Sequence, residues 1–400
     1  MPLSDLRRAG HAPSLVAALV HFDISFMAWV LLGALGAYVS QDLGLSASQS
    51  GLMVAAPLLA AAVFRVALGI LGDRVGPKRV GTVAMAVVLL PLAWGALGAT
   101  SYPAVLGMGL LLGVAGASFA ISLPLASRWY PPHLQGLAMG IAGAGNSGTV
   151  IAALTAPRLA EAYGWHAVFA MAMVPVAVAM AAFVLLAKEP PAPARPLTAA
   201  AMRATMRERD AWRLCGLYAV TFGGFVGLAS FLPILLHDQY GLSKVDAATV
   251  TAAGAALGSV LRPLGGHLAD RLGGTTVLTA VLGTVSAGAL FVAGLPPAAA
   301  AVLAFVALMG ALGAGNGAVF QLVGLRFAQR IGLVTGVVGA AGGLGGFLLP
   351  TLLGGLRDLA GSYGAGLAVF AGVALAALAG TLAMRGAWRR DWTATAEVRV

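Results

Sequence analysis

Twelve apolar stretches, each long enough to cross a bilayer, constrain this chain more than any other feature. They fall at roughly 14–39, 50–72, 79–99, 102–127, 136–158 and 165–187. After a polar interval they resume at roughly 212–236, 247–269, 275–295, 297–323, 332–356 and 363–386. About 20 apolar residues suffice for one helical span. Charged residues make up 10% of the 400 residues, against about 25% in a soluble domain. The expected fold is therefore an all-α polytopic membrane protein. It has twelve transmembrane helices in two pseudo-symmetric six-helix halves, residues 1–187 and 213–400, joined by a linker at 188–212.

The basic residues orient the spans. Arg7, Arg8, Arg74, Lys78, Arg79, Arg128, Lys188, Arg195, Arg203, Arg207, Arg209, Arg213, Arg271, Arg326, Arg330, Arg385, Arg389, Arg390 and Arg399 fall on one side of this arrangement. Arg158, Lys244 and Arg357 fall on the other. Positive loops stay in the cytoplasm, so both termini and the linker are expected there, in a cytoplasmic (inner) membrane. The net charge of +10 then orients the chain and needs no nucleic acid to explain it. The linker holds a proline-rich run, Glu189 to Pro196, and a basic stretch, Arg203 to Arg213, expected as a short surface helix or a plain tether. A single cysteine, Cys215, excludes an internal disulfide.

One motif occurs twice. Arg65, Gly69, Asp73, Arg74 and Gly76 recur at identical spacing as Arg262, Gly266, Asp270, Arg271 and Gly273. Each arginine lies eight residues before its aspartate, about 12 Å along a helix, in a hydrocarbon half-layer of about 15 Å. That depth is too great for snorkelling, and a charge there signals function. Pairing with carboxylates is the competing explanation, but only Asp23 falls inside a span. One carboxylate cannot neutralise two guanidinium groups; a bound anion can. A planar oxyanion also fits the guanidinium fork edge-on. Binding near the midplane between repeated halves is the plan of a secondary transporter.

Glycine runs repeat as well: Gly136, Gly140 and Gly143 match Gly332, Gly336 and Gly339. With the loop Gly69-x-Leu71-x-Asp73-Arg74-x-Gly76-Pro77-Lys78-Arg79, the chain resembles the major facilitator superfamily. Within it, the runs Gly140 to Gly148 and Gly336 to Gly346, taken with the two arginines, resemble the nitrate/nitrite porter family. The resemblance implies that Arg65 and Arg262 hold the anion and that Phe119, Tyr218 and Phe222 enclose it.

Other residues carry weaker expectations. Asn146 can donate to the anion or to a neighbouring helix. The glycines Gly140, Gly143, Gly145, Gly336, Gly339 and Gly343 are expected to form close-packed gating stripes. Asp73–Arg74 and Asp270–Arg271 are expected to lock helix ends in the outward-open state. Asp23, with His21 nearby, is the candidate proton carrier or a static partner for an arginine. No histidine shows metal-ligand spacing, and no cofactor is expected.

The function expected is secondary transport of nitrate, and of nitrite, by alternating access, coupled to protons during uptake. A nitrate/nitrite antiporter and a membrane anion sensor are the alternatives; the tails are too short for a sensor's output domain. An intramembrane enzyme lacks a catalytic cluster. The expected partners are nitrate or nitrite, protons and the bilayer, with the chain acting as a monomer.

Overall fold

The computed structural model describes residues 9–191, 199–327 and 331–392. The expectations for Arg7, Arg8, Arg195, Arg330 and Arg399, and for Pro193 and Pro196 of the linker, lie outside these residues.

Twelve long helical rods, with one short helix (Ala199–Arg207) between the sixth and the seventh, make up most of the described residues. The first half contains α1 (Ala12–Ala34, continued by a short helix Gly36–Asp42), α2 (Ala47–Val75), α3 (Pro77–Gly98), α4 (Tyr102–Ser127), α5 (132–163) and α6 (Trp165–Leu186). The second contains α7 (Arg209–Tyr240), α8 (Lys244–Leu272), α9 (Gly274–Ala293), α10 (Ala298–Arg326), α11 (Ile331–Ala360) and α12 (Gly364–Trp392). Ten rods are long and apolar enough to cross a membrane by length and composition. The other two depart for visible reasons. Rod α5 is interrupted by a 3-10 turn at Ala144–Ser147, so its glycine run is not the smooth stripe that the sequence suggested. Rod α8 carries Arg262, Pro263 and several glycines and threonines among its apolar residues.

Local chemistry sets the rod ends. Ser46 and Gln49 form a capping box at the start of α2, satisfying N–H groups that lack intrahelical partners. Rods α2 and α8 stop at Gly76 (φ 108°) and Gly273 (φ 92°), where a side chain would strain the backbone. That explains the glycine that closes each copy of the repeated motif. The basic stretch in the linker divides: Ala199–Arg207 is a separate helix, and Arg209 to Arg213 belongs to the first turns of α7. Asp210 there accepts from Arg326 at 3.0 Å and from Trp388 at 2.9 Å, tying α7 to α10 and α12.

The two halves meet through α2 against α11 and α5 against α8. At the end far from the linker they are closed. The Asp358 carboxylate of α11 accepts from the backbone N–H groups of Ala47 (3.1 Å) and Ser48 (2.8 Å) at the start of α2. A Cβ at Gly51 would collide with the Pro350 carbonyl, and one at Gly354 with the Ala47 carbonyl. Arg158 donates to Thr249 across the same boundary at 3.0 Å, and Lys244 reaches Gln41. At the linker end the ion pairs Asp73–Arg128 and Glu208/Asp210–Arg326 each stay within one half. Among the described residues a Cβ at Gly140, Gly143 or Gly336 would meet nothing within 4 Å. The molecule is thus closed at its far end and open at its linker end.

Candidate functional site

Close helix contacts position the two arginines. In the first half, a Cβ at Gly113 of α4 would collide with Ala60 of α2, and one at Gly116 with the indole of Trp29. In the second half, a Cβ at Gly313 of α10 would collide with the Gly258 carbonyl of α8, and one at Gly317 with the carbonyl of Arg262 itself. Small residues let these backbones touch, and each arginine emerges beside such a seam.

Arg65 is 5% exposed. Its Nε donates to the Gly116 carbonyl at 3.1 Å and its Nη1 to the Gly339 carbonyl at 2.8 Å. The second bond crosses from one half to the other. Its guanidinium lies 5.3 Å from the ring centres of Trp29 and Phe222 and 5.9 Å from that of Phe119. Such faces attract a cation. Arg262 is half-buried. Its Nη2 stands 3.5 Å from the Tyr218 hydroxyl, and its guanidinium 5.8 Å from the Phe320 ring.

Tyr218 and Phe222, one turn apart on α7, stack with centroids 5.0 Å apart and planes within 6°. Phe222 lies over Arg65 and Tyr218 meets Arg262, so this ring pair connects the two guanidinium groups. Phe320 stands edge-on to Tyr218 at 4.9 Å. Among the described residues neither arginine has a carboxylate within ion-pair distance. Each arginine carries five N–H donors, and the bonds above leave most of them unused. Two guanidinium groups joined by one ring pair, without a described acid beside either, leave donors suited in geometry to a small planar anion.

The structure thus brings Arg65, Arg262, Phe119, Tyr218 and Phe222 together. Asn146 is buried on the 3-10 turn of α5, its Oδ1 unpaired, and no hydrogen bond ties it to either arginine. The glycine positions separate. A Cβ at Gly145 would collide with Phe22, and one at Gly343 with Ala62 of α2. The gaps at Gly140, Gly143 and Gly336 lie on the open side, and a Cβ at Gly339 would stand 3.9 Å from Phe119.

Asp23 accepts from Ser147 at 2.6 Å, at the break in α5, and is not a partner of either arginine. His21 turns to a different neighbour: its Nδ1 is 2.7 Å from Ser122 Oγ and its ring lies 4.6 Å from Phe183. Asp73 pairs with Arg128, the residue that caps the end of α4. Asp270 is exposed and makes no ion pair among the described residues. Among those residues no cluster of His, Cys, Asp and Glu could hold a metal ion.

Sequence reasoning missed Trp29, Phe320 and the two carbonyls of Gly116 and Gly339. Phe320 had no clear signal, since at the spacing of the two arginines Phe119 of α4 matches Asn316 of α10. Trp29 had none: an aromatic in an apolar span carries no spacing that separates site from core. The backbone acceptors of Arg65 cannot be read from residue types at all.

Two repeated helical halves around a buried cationic site define a polytopic membrane transporter. The family model described as Major Facilitator Superfamily matches residues 17–350. A probable nitrate/nitrite transporter of Mycobacterium tuberculosis, NarK2, is 37% identical over 92% of this chain and 95% of its own length. The nitrite extrusion protein of Bacillus subtilis is 32% identical, covering 88% and 89% of the two chains. A probable nitrate/nitrite antiporter of Thermus thermophilus, NarK1, is 32% identical, covering 83% and 82%. Among solved structures, a bacterial homologue of the human lysosomal transporter Spinster, inward-facing and occupied, superposes with a TM-score of 0.74. It covers 96% of this chain and 98% of its own at 19% identity, a likeness of fold alone. The chain belongs to the major facilitator superfamily and, within it, to the nitrate/nitrite porters.

Proposed function

We propose that this protein carries nitrate, and nitrite, across the cytoplasmic membrane by alternating access, holding the anion between Arg65 and Arg262. The observation that carries the reading is the pair of deep guanidinium groups, bridged by Tyr218 and Phe222, with no carboxylate partner. A flat, weakly hydrated oxyanion meets both needs of such a site. It neutralises the charges, and its flat faces suit the aromatic surroundings of the two guanidinium groups. The names of the relatives support the same substrate class.

In this reading the linker end is cytoplasmic, so the structure is the inward-open state of a monomeric carrier. An incoming anion competes with the Gly339 carbonyl for Nη1 of Arg65. Closure then brings the Gly140 and Gly336 faces together while the far-end contacts of Asp358 separate.

The position of Asp23 bears on coupling. Bonded to Ser147 and out of contact with both arginines, it is poorly placed to neutralise them on an empty return leg. That favours nitrate/nitrite exchange over proton-coupled uptake, since in exchange an anion occupies the arginines in both directions. The test is uptake of isotopically labelled nitrate into proteoliposomes. Uptake driven by internal nitrite without a proton gradient supports exchange. Uptake that needs an inward proton gradient supports symport, and no uptake above protein-free liposomes overturns the transport reading.

A further inference from the structure

The two halves match in register beyond the arginines. Arg65 and Arg262 are 197 residues apart, and the same offset relates Gly113 to Gly310, Gly116 to Gly313 and Phe119 to Asn316. The contacts follow this offset. A Cβ at Gly113 would collide with Ala60, and one at Gly310 with Leu257. Gly69 faces Ala120 at 3.8 Å, and Gly266 faces Gly317 at 3.6 Å. Asn316 thus holds in α10 the sequence position that Phe119 holds in α4, while the ring that meets Arg262 is Phe320, one turn further on.

Asn316 is also an anomaly in its own right. It is 2% exposed, yet its amide makes no hydrogen bond among the described residues, and its Oδ1 is sealed from solvent. An unpaired buried amide is unfavourable unless something else meets it. Its own helix shows where that partner lies. Residues four apart share a helix face, and Phe320, one turn on, packs against both Arg262 and Tyr218.

The Arg262 side is the less satisfied half of the site. Arg65 reaches across to the Gly339 carbonyl. The matching glycine in the first half, Gly143, receives no such bond, and a Cβ there would meet nothing within 4 Å. An anion lying toward Arg262 thus meets a guanidinium with free donors, and the unpaired amide of Asn316 lies one turn from the Phe320 ring that packs on that guanidinium.

We propose that Asn316 is a specificity-determining residue of the anion site, donating from Nδ2 to an anion oxygen beside Arg262. The proposal rests on the anion site described above. Two guanidinium edges can serve both oxygens of nitrite, but nitrate presents a third, and the amide supplies its donor. Amide nitrogen and oxygen exchange places by a flip, so the site can offer the donor when an anion is present. Asn316 thereby favours nitrate over nitrite.

The test uses purified full-length protein and isothermal titration with nitrate and with nitrite, on wild type, Asn316→Leu, Asn316→Ser and Asn316→Asp. Leucine keeps the volume and removes the donor. Nitrate affinity is expected to fall about tenfold with nitrite affected less than threefold, so the ratio of the two dissociation constants moves. Serine, with a shorter donor, should restore part of the ratio. Aspartate beside Arg262 should abolish binding of both anions by supplying the missing negative charge. If a folded Asn316→Leu protein binds both anions as wild type does, or loses both equally, the proposal is overturned. Thermal unfolding without anion separates this from a packing role, which would lower the melting temperature and leave the ratio unchanged. Failure of the wild type to bind either anion would instead overturn the anion site itself.

Discussion

Arg262→Lys is the substitution that separates charge from geometry. Arg262 makes one bond within the protein, at 3.5 Å to Tyr218 Oη, the outer limit for a hydrogen bond. Little stability is therefore at stake when it is replaced. Lysine keeps the positive charge and loses the planar fork. On the anion, a bidentate contact becomes a single one, removing at least one charge-assisted hydrogen bond worth about 1.5–3 kcal/mol. At 1.4 kcal/mol per factor of ten, nitrate affinity falls by roughly 10- to 150-fold. Titration calorimetry on detergent-purified protein reads this directly, with thermal unfolding in the absence of nitrate as the folding control. A variant that binds nitrate within about twofold of wild type would refute the reasoning, because it would remove bidentate recognition by Arg262.

Gly143→Leu is expected to bind nitrate within about threefold of wild type yet lose transport, since the added side chain meets open space here and blocks closure of the linker end; transport at the wild-type rate in proteoliposomes would place Gly143 outside the gate. Asp358→Asn weakens a carboxylate contact to two backbone N–H groups, about 1.5–3 kcal/mol, and should shift the population roughly 10- to 150-fold toward far-end opening. Spin labels at exposed positions 161 and 359, in a Cys215→Ser background, would report the longer distance; an unchanged distribution would show that Asp358 does not hold the gate. Asp23→Asn is expected to leave nitrate/nitrite exchange intact. Loss of exchange with binding preserved would return Asp23 to the coupling machinery.

Much of the fold was legible because a membrane imposes a simple code. Span length pointed to twelve rods, of which ten are long and apolar enough to cross a membrane, and the repeat of Arg65–Gly76 as Arg262–Gly273 pointed to two related halves. The closing glycines of that repeat are now explained by their positive φ. The two arginines stood out for the same reason: a guanidinium inside an apolar span is conspicuous. The break in α5 did not, since Ala144–Ser147 has the same small-residue composition as the helix around it and its 3-10 turn depends on packing against α1. The asymmetry of the two arginines was also invisible. Both occupy equivalent places in sequence, but only Arg65 reaches a carbonyl across the interface. Nothing in the sequence set Asn316 apart, and its unpaired amide is visible only in the structure.

The most direct test of the central claim is an experimental structure of the protein with nitrate bound, at a resolution that shows the anion. The account predicts one planar density between Arg65 and Arg262, against Phe222 and Tyr218, within hydrogen-bond distance of both guanidinium groups. Arg65 should then have given up or lengthened its bond to the Gly339 carbonyl. Density elsewhere, with Arg65 still bonded to Gly339 and Arg262 unliganded, would contradict it.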